Sequence, residues 1–207
     1  MKTDIHTTQA SLEKYKLSPQ QRHLWKLQQT QLSDPFCIQC RVRVEGPADI
    51  PALRTAIEQV VRRHDILRAI FQILPGDDSP SQLIHVPEHK LEILEQDLTN
   101  LSETQQAEQL AALSRQMCEP LPDVDPRADF CVHLLYLHEE RCEILIRVSA
   151  LCSDGAGLRS IVREVAQLYR MYTAGHEPAL PAPVQYTDVS RVFNELLEEE
   201  DSRLGTE

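Results

Sequence analysis

The chain has 207 residues, enough for one ordinary domain or two small ones, with a real core and no disulfide support. Its 21 Lys and Arg against 32 Asp and Glu leave a formal charge of −11, which argues against a nucleic-acid binder or a polybasic membrane anchor, since phosphate contacts need a positive face. Hydrophobic residues at 42% and charged residues at 26% describe a globular chain, and only 6 glycines leave little material for a glycine-cradled nucleotide site.

No apolar run approaches the roughly 20 residues of a membrane span. The opening MKTDIHTTQASLEKYK lacks the apolar centre of a secretion signal, so the expected address is cytoplasmic, with no membrane and no nucleic acid among the partners. Residues 1–16 read as a loose leader. Ser18 and Pro19 then start a helix, serine as the cap, proline at the first helical position and Gln21 at the third. Leu24, Trp25 and Leu27 supply its apolar stripe, and Ser33-Asp34-Pro35 ends it.

A strand is predicted over 37–45, because Ile38, Cys40, Val42 and Val44 alternate with Gln39, Arg41, Arg43 and Glu45. This alternation bears on Cys37 and Cys40, which form a C-x-x-C. On a strand they point to opposite faces, and no second cysteine or histidine pair completes a tetrahedral metal site. With Cys118, Cys131, Cys142 and Cys152 they make six cysteines, expected as reduced thiols.

A helix opens near Asp49 or Ile50 with Pro51 in its first turn and Leu53, Ala56, Ile57, Val60 and Val61 at helical spacing. A turn at Pro75-Gly76-Asp77-Asp78 precedes one or two short strands within 82–95, then a helix over 101–117 and an irregular stretch at 119–123. Runs at 130–137 and 142–148 predict an antiparallel hairpin. A strong helix runs from about Gly157 to Thr173, with Gly175 as its stop. Residues 178–183 form a proline-spaced linker, and 184–200 begin a last helix that trails into a solvated acidic run. Strands mixed with helices predict an α/β or α+β layered domain. His133 and His138 are expected at the surface, and the Asn100-Leu101-Ser102 glycosylation pattern is expected to stay bare.

Four segments go beyond periodicity. Ser18-Pro19-Gln20-Gln21-Arg22-His23-Leu24-Trp25-Lys26-Leu27 resembles the S-x-A-Q-x-R-L-W-x-L motif of condensation domains in nonribosomal peptide synthetases, with Gln20 for alanine and His23 for arginine. Arg63-His64-Asp65-Ile66-Leu67-Arg68-Ala69-Ile70-Phe71 is similar to that family's R-H-E-x-L-R-T-x-F, and Tyr186-Thr187-Asp188 keeps the Y-x-D of a later motif. The fourth segment, Ser149-Ala150-Leu151-Cys152-Ser153-Asp154-Gly155, stands where the family has H-H-x-x-x-D-G. Asp154 and Gly155 match, while Ser149 and Ala150 replace both histidines. The D-x-x-x-x-D of heterocyclisation domains is also absent.

The resemblance implies an α/β layered sandwich of a mixed sheet with helices, like one lobe of a chloramphenicol acetyltransferase-like pseudo-dimer. It divides the chain into a 1–16 leader, a 17–177 amino-terminal lobe, and a 178–207 linker and helix leading to an absent second lobe. In the family the second histidine positions or deprotonates the attacking amine, and the methyl of Ala150 can do neither. The implied function is therefore a non-catalytic scaffold or recruitment module of a synthetase. It would touch carrier proteins that bear phosphopantetheine, other synthetase domains or tailoring enzymes, and bind no cofactor or metal itself.

The alternative is a condensation or acyl-transfer enzyme with a substituted base, completed by a second lobe; an unrelated coenzyme A-dependent acyltransferase ranks last. The resemblance also makes Asp154 structural, ion-paired with Arg63 or Arg68, while its position equally permits a helix cap. Cys152 and Ser153 are expected to be turn residues, not nucleophiles, and His64 a helix-end residue. An isolated lobe is expected to self-associate through an exposed apolar face.

Overall fold

The computed structural model describes residues 11–30, 36–86, 91, 93–118 and 130–204. Most of the sequence-predicted elements form, several with shifted ends. Ser11–Lys16, expected within the leader, forms strand β1, which pairs antiparallel with β4 (Ser81–Val86). Pairing with a distant strand supplies the backbone partners that a hydrophobic pattern this weak does not announce.

Helix α1 (Pro19–Thr30) follows. Its buried residue is Gln21; Leu24 and Trp25 are half-buried against the core and Leu27 is exposed, so the expected apolar stripe is only partly used. The stop expected at Ser33-Asp34-Pro35, the irregular stretch at 119–123 and the first ten residues of the leader lie outside the described residues.

Strand β2 (Cys37–Glu45) alternates as predicted and turns at Gly46, whose φ of +87° is a conformation other residues rarely adopt. Asp49 caps α2 (Ile50–Arg63) by accepting from the Ala52 N–H at 3.0 Å. A short 3-10 turn, Asp65–Arg68, leads into β3 (Ala69–Gln72). Then come β5 (Ile93–Asp97), α3 (Glu103–Gln116), β6 (Phe130–His138), β7 (Arg141–Ser149), α4 (Gly155–Thr173) and α5 (Tyr186–Leu204).

The strands make two sheets, β1-β4-β3 and β2-β7-β6-β5. The second is mixed: β7 is antiparallel to β2 and β6, and β5 is parallel to β6. Because β7 is central, nearly all its side chains are buried on both faces, Glu143 and Arg147 among them. One face carries Val132, Leu134, Ile144, Ile146 and Val148 into the main core with residues of α2 and α4. The other carries Leu135, Leu137 and Leu145 against Leu110 of α3 and Met117. His133 is half-buried within β6, contrary to its expected surface position, and burial lowers its imidazole pKa; His138 is exposed. Among the described residues no helix is long and apolar enough to cross a membrane.

Candidate functional site

The degenerate motif occupies the turn between the central strand and α4. Ser149 is the last residue of β7, 5% exposed, and its Oγ accepts the Leu151 N–H at 3.2 Å. Ala150 is half-buried and its N–H donates to the Phe36 carbonyl at 2.9 Å. Leu151 and Cys152 are buried. Ser153 donates its hydroxyl to the Asp154 carbonyl at 3.1 Å, and Asp154 Oδ1 accepts the Gly157 N–H at 2.7 Å, capping α4, whose first residue is Gly155. The hydrogen bonds of Ser149, Ser153 and Asp154 thus go to nearby backbone. None of them is directed at a neighbouring side chain able to turn it into a base or a nucleophile.

Of the two roles expected of Asp154, which are compatible, the cap forms. Arg68 pairs with Asp65, and Arg63 Nε lies 2.5 Å from Glu164 Oε1. The other carboxylate oxygen of Glu164 lies 2.8 Å from His64 Nε2. Arg63 also donates to the Pro181 carbonyl at 2.5 Å, tying the proline-spaced linker to the end of α2. His64 is the C-cap residue of α2, as expected, with this carboxylate as an added partner. Glu164 was missed by sequence reasoning, although one signal was present: it stands on α4 three residues after Ile161 and four before Leu168, an acid on the apolar stripe.

Burial alone would raise the Glu164 pKa. Hydrogen bonds from His64 and Arg63, with their charge, overcome it and hold the carboxyl below the usual glutamate value. A group whose folded pKa is depressed stabilises the fold above its unfolded pKa of about 4.3 and loses that contribution as pH falls through the lower folded value. Acid unfolding of Glu164→Gln is therefore expected to lack part of the wild-type loss below about pH 4.3. At neutral pH the variant should be less stable by about 1–2 kcal/mol, as read by urea unfolding at a series of pH values. Parallel pH profiles for the two proteins would overturn the assignment.

The motif segments meet through side chains of the first one. Gln21 accepts the Ser18 N–H through its side-chain oxygen at 2.9 Å and donates its own backbone N–H to Ser18 Oγ at 3.2 Å, the reciprocal cap predicted from spacing. Its amide nitrogen also donates to Gln82 Oε1 and to the Leu151 carbonyl, both at 3.0 Å, so α1 holds the degenerate turn directly. Ser18 Oγ lies 2.8 Å from Tyr186 Oη, joining the first segment to the last. Gln185, unmarked by any motif, accepts the Asp65 N–H at 3.1 Å and donates to the Arg63 carbonyl at 2.8 Å, joining the last segment to the second.

Cys40 packs against the main core and burial pushes its thiol pKa up, whereas Cys37 faces Cys118, so the two residues of the C-x-x-C are separated as the alternation predicts. Among the described residues no group of three or more His, Cys, Asp and Glu is placed to hold a metal ion.

A mixed sheet with α2 and α4 on one face and α3 on the other, its central strand ending at the degenerate turn, is the arrangement of a chloramphenicol acetyltransferase-like lobe. The chain belongs to the condensation domain family, whose model matches residues 11–203. It is 31% identical over 178 residues to phosphinothricin tripeptide synthetase PhsB of Streptomyces viridochromogenes, covering 83% of this chain and 14% of that protein. It is 28% identical over 191 residues to a dimodular nonribosomal peptide synthase of Bacillus subtilis, covering 91% of this chain and 8% of that one.

Among solved structures, the starter condensation domain of rhizomide synthetase RzmA matches with a TM-score of 0.76 at 25% identity, over 88% of this chain and 44% of that one. The X-domain in its complex with OxyB from teicoplanin biosynthesis matches in fold, with a TM-score of 0.72 at 23% identity, over 91% of this chain and 40% of the matched one. The chain spans less than half the length of each of these proteins.

Proposed function

We propose that this chain is a non-catalytic condensation-type lobe that serves a nonribosomal peptide synthetase as a scaffold or recruitment module. The observation that carries this reading is the turn itself. Ser149 and Ala150 stand where histidines belong, and the hydrogen bonds of Ser149, Ser153 and Asp154 go to local backbone. A positioned base contributes on the order of 10²–10⁴ in rate, and the methyl of Ala150 supplies none of it. The motif segments instead lock to one another, Ser18 to Tyr186 and Gln21 to Leu151, as a framework that outlasts the chemistry.

Carrier proteins bearing phosphopantetheine, neighbouring synthetase domains and tailoring enzymes are the partners this reading implies. The X-domain of the same fold has been solved in complex with OxyB, so the architecture accommodates a docked protein. The remainder of a condensation domain is a further partner, and α5 is where it would seat. This helix buries a polar side, Thr187, Ser190 and Asn194, with Ser190 donating to the Lys16 carbonyl and Asn194 to the Leu17 carbonyl, both at 3.0 Å. Its apolar residues Val192, Phe193, Leu196 and Leu197 face solvent, the reverse of an ordinary surface helix.

Two measurements test these statements. Carrier-loaded donor and acceptor are supplied to the protein together with any natural continuation of the chain, and no amide product is expected above the uncatalysed rate. Turnover abolished by Asp154→Ala but indifferent to substitution of Ala150 would establish the enzymatic alternative with a substituted base. For the isolated chain, sedimentation velocity is expected to show concentration-dependent dimerisation that Phe193→Asp suppresses. A clean monomer at high concentration would remove the claim about α5.

A further inference from the structure

Cys37 and Cys118 lie 81 residues apart in sequence, yet their Sγ atoms are 3.2 Å apart. Both are free thiols, and both are partly accessible. The contact joins two elements that share little else: Cys37 opens β2, and Cys118 lies two residues past the end of α3. Among the described residues β2 is an edge strand paired with β7, where Cys37 stands in register with Ser149 of the degenerate turn. The residue before it, Phe36, accepts the Ala150 N–H. The two sulfurs need to close by only about 1.2 Å to reach the roughly 2.0 Å of a disulfide.

We propose that Cys37 and Cys118 form a reversible, oxidant-driven disulfide that staples the end of α3 to the edge strand beside the degenerate turn. The oxidant is hydrogen peroxide. The Cys37 thiolate attacks a peroxide oxygen, the O–O bond breaks, and Cys37 becomes a sulfenic acid while hydroxide takes a proton to leave as water. The Cys118 thiol then attacks the Cys37 sulfur, the S–O bond breaks, and the hydroxyl leaves with the thiol proton as a second water. Two thiols and one peroxide give one disulfide and two waters. Burial and the neighbouring Cys37 push the Cys118 thiol up, with Arg147 opposing, which suits it to the second step as the resolving thiol. Closure constrains the unfolded chain and fixes the free end of β2, so the oxidised form is the more stable one.

The test uses the native chain treated with a small excess of hydrogen peroxide, then alkylated and mapped by mass spectrometry. The expected result is a peptide pair linked through Cys37 and Cys118, reversed by dithiothreitol. The melting temperature is expected to rise on oxidation, on the order of 5–10 °C, and neither Cys118→Ser nor Cys37→Ala should show the rise, while Cys40→Ser should keep it. The wild-type peptide map stands by itself if a variant fails to fold. Sulfinic or sulfonic acid at Cys37 or Cys118 without a linked peptide would overturn the proposal. So would a linkage that survives Cys37→Ala.

Discussion

Gln21→Ala is expected to destabilise the chain by about 3–5 kcal/mol, lowering the melting temperature on the order of 10 °C. Gln21 is 2% exposed, and its amide group satisfies three separate partners: the Ser18 N–H, the Gln82 side-chain oxygen and the Leu151 carbonyl. Truncation removes all three bonds at once in a place water does not reach. Each buried polar group left unpaired costs about 1–3 kcal/mol, and a cavity adds to the loss. Because one of the three partners lies in the degenerate turn, amide exchange should also accelerate around Leu151 ahead of global unfolding. Gln21→Met separates the two causes, since it keeps most of the volume and none of the hydrogen bonds. It should recover only a minor part of the loss; near-wild-type stability for Gln21→Met would show that volume, not hydrogen bonding, is what the site requires.

Restoring the missing histidines is expected to have two unequal effects. Ser149 is buried at the end of the central strand, with its Oγ holding the Leu151 N–H. Ser149→His forces an imidazole into packed space at about 1–3 kcal/mol and removes that acceptor at about 1 kcal/mol more. Ala150 is half-buried, and its contribution to the turn is the backbone N–H bonded to Phe36, which any residue but proline retains. Ala150→His should therefore fold with a stability within about 1 kcal/mol of the wild type. The double variant should resemble Ser149→His by itself. Thermal unfolding of the three proteins reads this directly. A double variant as stable as wild type would mean that the turn still has room for the family's pair, and that the two positions differ from the family by substitution without repacking of the site.

The elements legible in the sequence were those whose signal is local. The period-2 alternation of 37–45, the cap and stripe of α2, the hairpin of β6 and β7 and the long stripe of α4 each announce themselves within a dozen or so residues. The ordered motif segments were legible in the same way, and so was the loss of both histidines at Ser149 and Ala150, because side-chain identity is a property of the chain before it folds. Strand β1 was not legible, since its partner β4 lies some seventy residues away and only their pairing makes the segment a strand.

Residue identity alone thus determined the helices, the central hairpin, the family and the presence of Ser149 and Ala150 where the motif has histidines. Tertiary structure decided who meets whom. It gave Asp154 to the helix cap and Arg63 to Glu164, turned Gln21 from a cap residue into the support of the degenerate turn, set the apolar side of α5 outward, and brought Cys37 to Cys118. Propensity and periodicity act over a few residues, whereas a buried polar group takes whichever partner the packed fold places beside it, and that partner can come from anywhere along the chain.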